Sequence, residues 1–163
     1  MWGRSSHRSG VVVVRLQVRS EAGGVQPWEY GDVTLQADAH GVSPLFLPEP
    51  DSAALTQYLA SRPLRVSALL LRTETLRAAV RATLSPQRML LVRALLDGLV
   101  FIGADVTLSD EAGIMRPPEL RSLGAIHLAS ARTLGRKLEA LVTYDQRLAG
   151  AAAWYGLPVV SPS

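Results

Sequence analysis

The stretch Leu120–Asp145, LRSLGAIHLASARTLGRKLEALVTYD, decides the fold, because it runs from a helical pattern into an apolar strand that ends on a carboxylate. Ser122 is a residue type that caps helix N-termini. Leu123, Ile126 and Leu134 recur at helical spacing, and Gly135 suits a C-cap, so a helix ending near Leu134 is expected. After a polar connection, Ala140 to Tyr144 (ALVTY) is a β-rich run that breaks at Asp145 and Gln146. This reading places an acid at the carboxyl end of a central strand.

Working outward, the same alternation recurs. Val33 to Asp38 (VTLQAD) reads as a strand that also ends on an acid, and the Pro- and Gly-punctuated HGVSPLFLPEP after it predicts a turn into a helix. Asp51 or Ser52 can cap that helix, in which Ala54, Leu55, Tyr58 and Leu59 share a face before Pro63 closes it. Arg65 to Ala68 reads as a second strand feeding a helix through LLLRTETLRAAVRATL. Ser85-Pro86 is an N-cap and N1 pair opening another helix through Leu99. Val100 to Gly103 is a third strand, a short helix around Leu108 to Met115 stops at Pro117-Pro118, and Val159-Val160 is a final edge strand. Such alternation predicts an α/β fold, a mostly parallel sheet with helices on both faces. Ligands in such folds sit outside the carboxyl ends of the strands, where Asp38 and Asp145 fall by topology.

The 163 residues, 48% of them hydrophobic, suit one well-buried domain. Residues 1–32 differ in texture, rich in Arg, Gly and Ser with one candidate strand at Val11 to Val18, and read as a disordered or loosely attached extension. Translation from Val33 would open the protein on its first strand, so the division expected is an extension, 1–32, and a domain, 33–163. No run approaches the ~18 apolar residues of a membrane span, and VVVV falls short of a signal-peptide core of about 7. A cytoplasmic protein with no membrane association is expected. The absence of cysteine excludes disulfides, thiolate catalysis and Cys-ligated zinc, leaving oxygen or histidine ligands for any metal. A net charge of +3, in which all 17 basic residues except Lys137 are arginines, makes a polyanion or an acidic peptide a plausible partner.

Asp38, Glu74 and Asp145 each have an ordinary reading as well as a catalytic one. Asp38 can form a turn with Gly41, Glu74 can pair with Arg77 three residues on, and Asp145 can cap the helix that follows it. Arg72, Arg77, Arg81, Arg88 and Arg93 read first as solvated helix surface, and some have the geometry to meet RNA phosphates or acidic side chains. No Gly-rich phosphate loop of the GxGxxG or GxxxxGKS kind is present, which sets aside a nucleotide-binding domain.

SLGAIHLASA followed by ALVTYDQRLAGAA resembles the C-terminal half of a PIN-domain nuclease, specifically the VapC-type toxins of type II toxin–antitoxin pairs. Asp38 in LQADAHGV matches the family's first acid, usually in a pattern like YLDTSALV. Glu74 in LLLRTETLRAA matches the second and Asp145 in VTYDQRL the fourth. LFLPEPDSAAL is also family-like, so the resemblance covers residues 33–163. It departs at the third acid, where SLDAIHLA becomes SLGAIHLA with Gly124, and two residues after the first acid, where His40 replaces a small hydroxyl. The resemblance implies a metal-dependent endoribonuclease in which Asp38, Glu74 and Asp145 are catalytic and hold Mg2+ or Mn2+. It also implies a cognate antitoxin, an RNA substrate and a homodimer. Gly124 and His40 imply reduced activity; the alternative is a catalytically disabled PIN domain acting only as an antitoxin-binding, regulatory partner. His127 is expected to pack in the core, and His40 has a lesser claim as a substitute ligand or base.

Overall fold

Five strands, β1 (Val33–Gln36), β2 (Arg65–Ala68), β3 (Val100–Ile102), β4 (Leu138–Val142) and β5 (Val159–Val160), form one sheet in the order β3-β2-β1-β4-β5. Every neighbouring pair is parallel, with Leu35 beside Val66, Gln36 beside Val142, Ser67 beside Phe101 and Leu141 beside Val159. The computed structural model describes residues 33–36, 52–62 and 65–163. The expectations for residues 1–32, Asp38 and His40 lie outside the described residues.

Between the strands run α1 (Ser52–Ala60), α2 (Leu70–Arg81), α3 (Pro86–Asp97), α4 (Val106–Gly113), α5 (Ser122–Arg132) and α6 (Gln146–Trp154). Side chains alternate across a strand, so neighbours on β4 report on both faces. Leu141 packs with Leu108 of α4, Leu128 of α5 and Leu148 of α6, whereas Val142 packs with Leu55 and Leu59 of α1. On β3 the same division recurs. Phe101 meets Ala79, Val92 and Leu96 of the α2–α3 pair, and Ile102 joins the α4–α5–α6 cluster. Helices therefore cover both faces, as the alternation predicts.

Local chemistry accounts for most boundaries. Ser85 Oγ accepts from Arg88 N–H at 3.4 Å with Pro86 at N1, so the Ser-Pro pair opens α3 as expected. Asp105 caps α4 in the same way, its Oδ1 accepting from Leu108 N–H at 2.8 Å.

The segment around α5 needs correction. Ser122 is not the cap: Arg121, with extended backbone, is the N-cap, and no side chain caps the helix. The buried face is only partly the expected one: Ile126 and Leu134 are half-buried against the core, but Leu123 is not. Leu123 is 47% exposed, while Ala125, His127, Leu128, Ala129, Ser130 and Ala131 are buried. With helices α4 and α6 on either side and the sheet beneath, small side chains do the packing. The helix ends at Arg132 with Thr133 as C-cap, and Gly135, at φ +53°, opens a one-turn 3-10 segment to Lys137. This tight turn starts β4 at Leu138, two residues earlier than ALVTY suggests, and the strand ends at Val142.

Candidate active site

The interior strands β2, β1 and β4 lie side by side, and the chain leaving each carboxyl end carries one of the expected acids. Ala68 closes β2, and α2 begins two residues later, placing Glu74 in its second turn. Val142 closes β4, and Asp145 follows before α6. Asp38 follows β1 in sequence, outside the described residues. In a parallel sheet these three exits share one edge, which is where such folds bind ligands.

Glu74 does not make the ordinary surface pair with Arg77. Its side chain is only 17% exposed, and its Oε2 lies 3.0 Å from His127 Nε2, a contact spanning 53 residues of sequence and joining α2 to α5. Arg72 bonds instead to Asp97 at 2.8 Å. Glu74 thus keeps a largely enclosed carboxylate with no guanidinium salt bridge among the described residues. His127 is 1% exposed, in accord with its expected core position, and its Nδ1 has no hydrogen-bond partner among the described residues. The bond to Glu74 is a feature that sequence reading missed. Its only local signal is a polar ring inside the AIHLASA run.

Asp145 does cap its helix. Its Oδ1 accepts from Arg147 N–H at 2.8 Å and Leu148 N–H at 3.2 Å, leaving Oδ2 outside both bonds. The turn is fixed from behind: the buried Thr143 accepts from Asp145 N–H through Oγ1 at 3.2 Å and donates its own N–H to Val160 O at 3.0 Å. Tyr144 O–H donates to Pro162 O at 2.8 Å. A cap and a metal ligand are compatible uses of one carboxylate, because they engage different oxygens.

Gly124 is the third residue of α5 and lies one turn before His127 on the same side of the helix. A Cβ there would meet Leu120 Cδ1 at 2.9 Å, the tip of a flexible side chain. The backbone thus has room for an acid once Leu120 turns aside. Arg77, Arg81, Arg88 and Arg93 are exposed on α2 and α3.

Among the described residues, no three His, Asp or Glu side chains form a group able to hold a metal ion. The donor chemistry nevertheless fits a hard divalent cation, since Glu74 Oε1 and Asp145 Oδ2 are carboxylate oxygens outside the hydrogen bonds these side chains make. No described helix is long and apolar enough to cross a membrane.

No family model and no solved structure matches the chain. Among curated proteins, Ribonuclease VapC46 of Mycobacterium tuberculosis is 40% identical over 126 residues, covering 77% of this chain and 95% of that protein. Ribonuclease VapC35 of the same organism is 41% identical over 117 residues, 70% of this chain and 86% of the relative. Ribonuclease VapC47 is 33% identical over 129 residues, 77% and 94% of the two chains. Identity at this level along nearly the whole length of several relatives means that the chain belongs to the VapC-type PIN-domain ribonucleases.

Proposed function

We propose that the protein is a metal-dependent endoribonuclease, the toxin of a toxin–antitoxin pair, with activity lowered by Gly124. The observation that carries this reading is the Glu74 carboxylate, kept mostly out of water on the helix that leaves the carboxyl end of β2, with no guanidinium salt bridge among the described residues although Arg72 and Arg77 flank it. The His127 ring holds one oxygen of this carboxylate at 3.0 Å, and the other lies outside that bond, where a hard divalent cation can take it.

Glu74 and Asp145, with Asp38 from the family pattern, would supply oxygen ligands to Mg2+ or Mn2+. Such an ion, when bound, acidifies a water and offsets the charge that develops on a phosphodiester. The protein's own part is placement. Thr143 and the Asp145 cap fix one carboxylate, α2 carries the other, and Arg77 and Arg81 continue along α2 where RNA phosphates would pass. The partners in this reading are structured RNA, a cognate antitoxin and a second copy of the chain, and the setting is the cytoplasm.

Gly124 favours a second reading, a PIN domain that retains antitoxin binding and has lost catalysis. Both are tested by RNA cleavage with manganese and with chelator, comparing the unmodified protein, Gly124→Asp, and Gly124→Asp combined with Asp145→Asn. On the first reading Gly124→Asp raises chelator-sensitive cleavage and the double variant loses it. Misplacing an activated water by about 1 Å costs on the order of a hundredfold, so the gain should be of that order. No gain, with antitoxin binding intact, would establish the second reading.

A further inference from the structure

Among the described residues, His127 is the one buried titratable side chain that the proposed reaction leaves unused. The ring is 1% exposed on α5, Nε2 lies 3.0 Å from Glu74 Oε2, and Nδ1 is enclosed with no partner among the described residues. An ionised carboxylate only accepts hydrogen bonds, so the hydrogen between them sits on Nε2 and His127 is the donor. The neighbours Ala125, Leu128, Ala129 and Ala131 are apolar, and a leucine or methionine would fill the same space without stranding a ring nitrogen. A half-satisfied imidazole in such a place is accounted for by the single bond that it makes.

Among the described residues, that bond is the one polar contact the Glu74 side chain makes. Glu74 has one more rotatable bond than an aspartate would have, and it makes no salt bridge with Arg72 or Arg77. Held by Nε2–H through Oε2, the carboxylate keeps one orientation and leaves Oε1 outside the bond.

We propose that His127 is a positioning residue, which fixes the Glu74 carboxylate from the buried side so that its remaining oxygen is available to a divalent cation. The proposal rests on the metal-dependent reading of Glu74 given above. Outer partners that orient a metal ligand typically contribute about 10–100-fold in metal affinity, which sets the size of the effect.

The test is Mn2+ binding to the full chain, followed by electron paramagnetic resonance and calorimetry in the absence of RNA, with thermal unfolding as the control for folding. His127→Leu removes the donor and keeps the volume. His127→Gln can return an N–H to the Nε2 position, whereas His127→Asn is too short to reach it. Glu74→Gln reports whether Glu74 is a ligand at all. The expected result is that His127→Leu and His127→Asn stay folded and bind Mn2+ about tenfold or more weakly, and that His127→Gln recovers most of the loss. Should the leucine variant fail to fold, the Gln and Asn pair decides alone. If Glu74→Gln weakens binding while all three His127 variants bind as the unmodified protein does, His127 is packing only and the proposal is overturned. If Glu74→Gln has no effect, or the unmodified protein binds no Mn2+, the metal reading of Glu74 falls and takes the proposal with it.

Discussion

Asp145 carries two roles that substitution can separate. Asn has a side-chain oxygen in the place of Oδ1 and caps helices about as well as Asp, whereas Ala removes the acceptor at a cost of about 1 kcal/mol. Asp145→Asn is therefore expected to unfold at nearly the same denaturant midpoint as the unmodified protein while losing metal-dependent cleavage. Asp145→Ala should lose both. If Asn preserved cleavage, Asp145 would be a cap and nothing more. Gly124→Asp belongs to the same scale: an acid at the third helical position favours the N-terminal dipole of α5 by about 0.3–1 kcal/mol, against the cost of moving the tip of Leu120. Stability should change by less than about 1 kcal/mol, so a gain in cleavage could be read as chemistry and not as folding. Asp38 and Asp145 stand out in the sequence because each follows a strand-like run, whereas Glu74 and Gly124 stand out only against the family pattern. The bond between Glu74 and His127 does not stand out, because a contact across 53 residues leaves no local period in the sequence.

Among the elements, strands and helices announced by strong local chemistry were placed well. Ser85-Pro86 opens α3, and Val100 and Val159 open short strands where the apolar runs indicated. Helix α5 was expected in the right place apart from its caps, and its buried side was read only in part: Ile126 and Leu134 do pack on the core, but alanines fill most of that side and Leu123 does not join it. Ala129 and Ala131 are fully enclosed between the sheet and the flanking helices, and Leu123 points outward. Overpacking such a position typically costs about 1–3 kcal/mol. Ala129→Leu is expected to lower stability by that amount in chemical denaturation, while Leu123→Ser, on the exposed side, should change it by less than about 0.5 kcal/mol. The reverse ranking would restore the leucine stripe as the packing face.

For the molecule as a whole, the parallel order β3-β2-β1-β4-β5 follows from the alternation of strands and helices together with the right-handed crossovers that such units adopt. The sequence could show the alternation. It could not show which strands become neighbours, and that adjacency puts the exits of β2, β1 and β4 along one edge. It also bears on the division of the chain. Every described strand lies at or after Val33, and β1 is central, bonded to β2 on one side and β4 on the other. A chain begun at Val33 therefore keeps all five described strands, and its new amino terminus enters at the end of β1 opposite its carboxyl exit. The carboxyl edge is separated from that end by the length of the strand. Such a chain is expected to unfold cooperatively, with a midpoint within a few degrees of the full protein, since about 1 kcal/mol corresponds to roughly 2–8 °C for domains near this size. Its Mn2+ affinity should be unchanged. Loss of a cooperative transition by circular dichroism would show that residues 1–32 are part of the folded unit. A cooperative transition with altered Mn2+ affinity would instead place part of that segment at the candidate site.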